Sequence, residues 1–374
     1  MSGIYIHIPF CKKACHYCNF HFSTSLKLKQ NMVLAICQEI AKRKDYLSDK
    51  TLQSIYFGGG TPSLLDERDL NMIFESLAMH FQWTSHTEIT LESNPDDLNE
   101  DKLKTLRDIG INRLSIGVQS FFDEDLLWMN RAHRSDEAMS CIKMAQDIGL
   151  TNITIDLIYG SPTTTMDMWS ANLSHALALQ IPHISSYCLT IEEKTALHHQ
   201  VKTGQSIAPD QDKANAQFAN LMETLTSEGY DHYEISNFAK PGHYAIHNTN
   251  YWKGAHYLGI GPSAHGYDGI SRSWNVANNK KYIDQIKDGQ LPLEYETLTP
   301  EMRYNEYVMT GLRTIWGIGL EEICQFGQAF GDYFLLEIAK DISSGMVHTD
   351  GERYYLTQSG KFFADRIAMD LFMV

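Results

Sequence analysis

Over the first 240 residues, short apolar runs rich in β-branched and aromatic residues alternate with longer amphipathic stretches. The apolar runs are IYIHI (4–8), SIYFG (54–58), EITLES (88–93), RLSIGV (113–118), ITIDLIYG (153–160) and HISSYCLT (183–190). Between them the spacing predicts helices near 26–46, 66–80, 99–109, 135–148, 167–179 and 210–228. Strands that alternate with helices in this way pair in parallel through right-handed crossovers. Six such units predict an α/β fold: an incomplete (β/α)6 barrel rather than a closed eight.

In such a fold, functional groups gather beyond the carboxyl ends of the strands. The polar and glycine-rich residues of this chain fall there: clustered cysteines after the first strand, GGGTP after the second, ESNPDD after the third and GVQSF after the fourth. Asp156 lies within the fifth strand. Any one of these is ordinary turn chemistry, but together they mark a single rim. From about 230 the pattern changes. A connecting segment, 241–299, is dense in His, Tyr, Gly and Trp, with little periodicity. Residues 300–374 show helical runs (EMRYNEYVMTGLR, LEEICQFG, YFLLEIAKDISS), a hairpin-like MVHTDGERYYLT and a last helix. That order resembles a small helical, winged-helix-like domain.

Lys plus Arg total 31 against 46 Asp plus Glu, a formal charge of −15. That balance argues against a broad nucleic-acid-binding surface and against DNA as a partner of the winged-helix-like block. SGIYIHIPF alternates apolar and polar and stops at Pro9, which reads as a strand and not a signal peptide. No stretch reaches the roughly 20 apolar residues of a membrane span. The expected compartment is the cytoplasm, where clustered cysteines bind metal or do redox work.

Of seven cysteines, Cys37, Cys141, Cys188 and Cys324 are scattered and read as small apolar residues. Cys11-x3-Cys15-x2-Cys18 is different. A zinc site would need a fourth ligand, which His16 or His21 could supply. A redox disulfide could use Cys15 and Cys18 but leaves Cys11 without a role. An iron–sulfur cube on three thiolates leaves its fourth iron open to a small molecule. Position on a barrel rim favours the cube.

CxxxCxxC at the end of a first barrel strand resembles the signature of radical S-adenosylmethionine (SAM) proteins, in which the methionyl amino and carboxylate groups take the open iron. Over nearly its whole length the chain is similar to the oxygen-independent coproporphyrinogen III oxidase family. The residues that carry this are YIHIPFC, YFGGGTPS, LESNPDD, RLSIGVQSF, MNRAH and IDLIYGSP, with GLRTIWGI and YYLTQSG near the end. The resemblance implies a [4Fe-4S] cluster on Cys11, Cys15 and Cys18. It also implies SAM-binding roles for Tyr5, Tyr17, Gly59, Gly60, Thr61, Glu92, Gln119, Arg131 and Asp156. These residue types suit the task. Glycines admit close backbone approach, the carboxylates accept from hydroxyl or ammonium groups, and Arg131 offers a planar fork to a carboxylate.

Within the family, the oxidases carry CxxxCxxCxC and an arm before the first strand; here the last cysteine position is Phe20 and few residues precede the strand. His247-Asn248-x-x-Tyr251-Trp252 resembles the HNxxYW motif of the HemW-type heme chaperone branch. The resemblance implies heme as a further ligand, His247 as its iron ligand, and the Tyr251 and Trp252 rings as faces for the porphyrin. It implies heme-acceptor apoproteins as partners. Since such acceptors are often membrane enzymes, a transient peripheral encounter at the inner face of the membrane is expected, although a −15 charge opposes lasting attachment to anionic lipid. His243 and His247 have zinc spacing, but Pro241-Gly242 argue against a long helix there. The alternative reading is a SAM-dependent oxidase that removes two propionate carboxyl groups from coproporphyrinogen III, and beyond it a radical SAM enzyme with a different substrate.

Overall fold

The computed structural model describes residues 2–373. Six parallel strands stand side by side in chain order: β1 (Ser2–Ile8), β2 (Ser54–Gly59), β3 (Glu88–Ser93), β4 (Arg113–Gln119), β5 (Ile153–Tyr159) and β6 (His183–Cys188). The connecting helices Lys29–Lys42, Glu67–Ala78, Glu100–Ile109, Ser135–Asp147, Met166–Ala178 and Gln211–Ser227 lie close to the stretches read from periodicity. Two short helices, Asp123–Trp128 and Ala196–Lys202, were not legible in the pattern.

Alternation along each strand decides what faces where. Ile4, Ile6, Ile8, Ile55, Phe57, Leu91, Leu114, Ile116, Ile155 and Leu157 are buried against the helices. Their sequence neighbours Tyr5, Tyr56, Thr90, Ser115, Asp156 and Ser185 take the other face, the barrel interior. That interior is therefore polar, which suits a ligand-bearing half-barrel and not a packed one.

The sheet is wider than six strands and does not close. A hairpin of β7 (Asp231–Glu234) and β8 (Asn237–Ala239) extends the β6 edge, with β8 antiparallel to β6. On the other edge β9 (His256–Ile260) runs parallel to β1, followed by β10 (His265–Tyr267), β11 (Ser271–Asn275) and β12 (Leu293–Thr297), all antiparallel. The segment that reads as patternless is thus largely edge sheet. Its strands are short and mix aromatic with polar residues, and β12 is mostly exposed, so neither a period of two nor an apolar run stands out.

The C-terminal part has a core of its own, built on Tyr304, Val308, Leu312, Phe334, Ile338 and Ile367. Helices Pro300–Leu312, Gln328–Ser343 and Ala364–Asp370 surround a small antiparallel sheet of β13 (Ile318–Gly319), β14 (Val347–Thr349) and β15 (Arg353–Leu356), ordered β13-β15-β14. This is the helical, winged arrangement expected. Arg313 ties it to the barrel, its guanidinium donating to Glu234 at 2.9 Å and to Asp365 at 2.8 Å.

Candidate functional site

The cysteine loop leaves β1 and is held from three sides. At its base Cys11 N donates to Ser23 O at 3.1 Å and Ser23 N to Pro9 O at 2.9 Å. The turn after β2 backs it, with Gly60 N donating to Ile8 O at 2.9 Å and Thr61 N to Phe10 O at 2.6 Å. A side chain at Gly60 would bring its Cβ to 2.6 Å from the Phe10 carbonyl oxygen, so glycine is required for the two loops to meet. Gly59 sits at φ +105 with the His7 ring where a Cβ would lie. The MNRAH stretch grips the third side: Asn130 Nδ2 donates to Ala14 O at 2.7 Å, His16 Nδ1 to Trp128 O at 2.9 Å, and Arg131 Nη1 to Cys15 Sγ at 3.4 Å.

A cavity of about 420 Å³ opens beneath this loop at the carboxyl ends of the strands. Cys11, Cys15, Cys18, Tyr17, Gly59, Gly60, Thr61, Glu92, Gln119, Arg131 and Asp156 all line it, so eight of the nine residues to which the resemblance gives a SAM role meet at one wall. Tyr5 does not. It sits lower in β1, stacked on Tyr56 with ring centroids 6.0 Å apart, its hydroxyl 3.2 Å from His7 Nδ1. Asn94, Tyr187, Cys188 and Thr190 line the cavity and were not singled out. Asn94 was within reach, since it follows Glu92 in ESNPDD; its Oδ1 accepts from Arg131 Nη2 at 2.7 Å. Cys188, at the end of β6, packs partly buried against the main core, as its apolar reading expects, and also lines the cavity wall.

The donor set fits a cube better than a single ion. His16 is turned to Trp128 O, and His21 Nε2 lies 2.7 Å from Asn279 Oδ1, so neither candidate fourth ligand faces the thiols. Among the described residues no three His, Cys, Asp or Glu side chains converge tightly enough for one metal ion. A tetrahedral zinc site needs that convergence, whereas a four-iron cube seats each thiolate on its own iron. Burial pushes the Cys11 thiol up to about 11 and raises Cys18 as well. Thiolates there need positive charge beside them, which Arg131 supplies in part and iron would complete.

The cavity floor is acidic but reluctant to ionise. Glu92 accepts from Tyr56 Oη at 2.8 Å and from Gly59 N at 3.0 Å. Enclosure outweighs these bonds and lifts its carboxyl to about 7, and the same cause lifts Asp156 to about 6. Arg131 stays charged: burial opposes its charge, but Tyr17 and Cys15 beside it more than offset that. Gln119 is held at φ 66 where β4 loses register with β5, a strained backbone at the cavity wall.

HNTNYW lies elsewhere. It forms the seven-residue helix Ile246–Trp252, which docks at the amino ends of the strands. The Glu88 carboxylate, at the start of β3, accepts from Ile246 N at 2.8 Å and from His247 N at 2.9 Å, satisfying the helix's free N–H groups. His247 points into the barrel floor. Its Nδ1 is 2.9 Å from Ser54 Oγ, and its ring stacks on Tyr56 with centroids 5.0 Å apart. Burial, then the Arg113 charge, lowers it to about 4, so the imidazole is neutral at pH 7. Among the described residues nothing hydrogen-bonds its Nε2. Tyr251 and Trp252 instead line a second cavity, of about 760 Å³, between the connecting segment and the C-terminal part. The three motif residues therefore do not share one cavity wall, although i and i+4 on a helix face the same way. Among the described residues no helix is long and apolar enough to cross a membrane.

Residues 5–174 match the Radical SAM superfamily model and residues 298–363 the HemN C-terminal domain model. The chain is 34% identical over 373 residues to heme chaperone HemW of Bacillus subtilis (strain 168), covering 98% of each chain. It is 30% identical over 379 residues to heme chaperone HemW of Escherichia coli (strain K12), covering 99% of this chain and 98% of that one. Among solved structures it resembles the coproporphyrinogen III oxidase HemN from Escherichia coli, a radical SAM enzyme, at TM-score 0.87 and 25% identity, covering 100% of this chain and 90% of that one. A cysteine loop on a half-barrel rim, a winged C-terminal part and full-length identity to these chaperones lead to one placement: the chain belongs to the HemW heme chaperone family of the radical SAM superfamily.

Proposed function

We propose that this protein is a heme chaperone that keeps two ligand sites at opposite ends of one half-barrel. At the rim, Cys11, Cys15 and Cys18 hold a [4Fe-4S] cluster, and SAM occupies the cavity beneath. At the other end, beyond the amino ends of the strands, the HNTNYW segment carries heme for delivery to acceptor apoproteins. A bound cluster with SAM would supply one-electron chemistry. The protein's own share at the rim is to hold Cys15 by Arg131, to shape the cavity with Gly59 and Gly60, and to present Glu92 and Asp156 as acceptors. At the floor, His247 is kept neutral, the form in which imidazole binds metal.

The observation that carries this reading is the separation. An oxidase must bring its porphyrin beside the reacting centre, but the aromatic motif here lies beyond the amino ends of the strands, while the cysteines lie beyond their carboxyl ends. Phe20, at the position of the oxidases' last cysteine, lines the rim cavity and is exposed.

The test is an anaerobic heme titration of the cluster-reconstituted protein beside His247→Ala, followed by the Soret band. The expected result is one heme per chain, with a shifted Soret band and at least tenfold weaker binding in the variant. Equal, weak binding by both proteins would make HNTNYW a purely structural segment.

A further inference from the structure

The second cavity holds two cations that have no carboxylate partner. Lys253 follows directly after Trp252, and its Nζ lies 4.0 Å over the Trp316 ring. Arg303, on the helix Pro300–Leu312, lies 5.8 Å over the Phe326 ring, and its buried Nε has no hydrogen-bond partner. Among the described residues neither side chain forms an ion pair. The other two cations lining this cavity are spoken for: Arg272 pairs with Glu306 and Arg353 with Glu322 at 2.8 Å. A buried guanidinium nitrogen left unpaired is costly unless something else supplies the acceptor.

The rest of the lining says what that something is. Tyr251, Trp252, Trp316 and Phe326 give broad apolar faces, and about 760 Å³ lies within the range of small-molecule sites. The cavity therefore suits a flat aromatic molecule carrying two carboxylates. Such a molecule lays its rings on the aromatic walls and accepts charge-assisted hydrogen bonds from one cation at each carboxylate.

We propose that this cavity binds the body of a tetrapyrrole, with Lys253 and Arg303 each holding one propionate. The inference rests on the heme-chaperone reading and extends it from the motif helix to the C-terminal part, which contributes Arg303 and Trp316. Contact between the ligand and both parts of the chain would also make the C-terminal part responsive to loading. The clamp acts on the carboxylates; His247, turned to Ser54 and Tyr56 at the barrel floor, does not line this cavity, so holding the tetrapyrrole body here is separate from ligating its iron.

The experiment separates it from the iron-ligand question by using iron-free protoporphyrin IX and its dimethyl ester. Each is titrated into the cluster-reconstituted wild type, Lys253→Gln, Arg303→Gln and the double variant, with tryptophan quenching as the readout. Heme is titrated in parallel. The expected result is about tenfold weaker binding of the free acid in each single variant and about a hundredfold in the double. The ester should bind the wild type as weakly as the acid binds the double variant, a comparison that needs no substitution. Equal binding of acid and ester across all four proteins, with tight heme binding retained, would overturn the clamp and leave the chaperone reading standing. Failure of the wild type to bind heme at all would overturn both.

Discussion

Replacing Cys11, Cys15 and Cys18 together by alanine is expected to abolish the cluster's visible absorbance and to weaken SAM binding at least a hundredfold, while heme affinity stays within twofold of wild type. The first half follows from the donor set: His16 and His21 are turned to Trp128 and Asn279, so neither histidine beside the loop can stand in for a lost thiolate. The second half follows from distance along the fold. The cysteine loop begins after Ile8 at the carboxyl end of β1, and the HNTNYW helix rests on Gly3, Ser54 and Glu88 at the amino ends of β1, β2 and β3. A seven-residue strand separates the two by roughly 20 Å. The loop itself is fixed by backbone bonds to Ser23, Ile8 and Phe10 that survive the substitution. Parallel titrations of SAM and heme read both halves. Loss of heme binding in the triple variant would mean that the two sites are one, and would return the oxidase to the front.

Acidification is expected to unfold the cluster-free protein steeply between pH 6.5 and about 4. His7, His133 and His232 are buried, and burial is the leading cause that lowers them to about 4, about 4 and about 3 respectively; His183, also buried, is lowered too. Each is committed to neutral partners or to a neighbouring cation. His7 Nε2 donates to His21 O at 2.9 Å, and His183 lies between Thr154 and the Tyr233 hydroxyl, which is 2.6 Å from its Nε2. His232 Nδ1 is 2.9 Å from Lys361 Nζ, so two charges there would repel. As pH falls through 6.5 the unfolded chain takes up these protons and the folded chain does not. Stability therefore falls with pH through that window and the loss is complete only below the folded values. Glu92 and Asp156 act in the opposite sense, since their raised values of about 7 and about 6 make the fold bind protons first. Taken with His247, also lowered to about 4, the three histidines with stated values outweigh the two carboxyls by a net loss on the order of 5 kcal/mol between pH 7 and pH 4.5, and His183 acts in the same sense; that is comparable with the whole margin of a typical fold. Urea midpoints measured at half-unit pH steps would show it; a flat profile from pH 7 to pH 5 would refute the assignment.

How far the sequence could be read differs along the chain for physical reasons. β1 to β6 are buried between helices on one side and line a cavity on the other, so their apolar residues recur at strand spacing and their boundaries could be read to within two residues. β7 to β12 are short edge elements whose stability comes from neighbours such as β1 and β6, and nothing in their own residues announces a strand. At the rim, motif residues fall together because each follows its strand directly. Tyr5 shares the family motif but sits partway down β1, where its alternation places it in the interior. Tyr187 and Thr190 reach the cavity from β6 and the loop after it without a motif to mark them. At the floor, the helix was legible only as an aromatic-rich stretch. That His247 and Tyr251 open onto different spaces depends on how the helix docks through Glu88, a contact with a residue 159 positions away.

We propose that the chain holds a tetrapyrrole without converting it. The most direct measurement is mass analysis of the pigment after the reconstituted protein is incubated anaerobically with SAM and a reductant, in one sample with heme and in another with coproporphyrinogen III. Heme is expected to be recovered intact and coproporphyrinogen III with all four propionates. Loss of one or two carboxyl groups from coproporphyrinogen III, dependent on SAM and on Cys15, would contradict it.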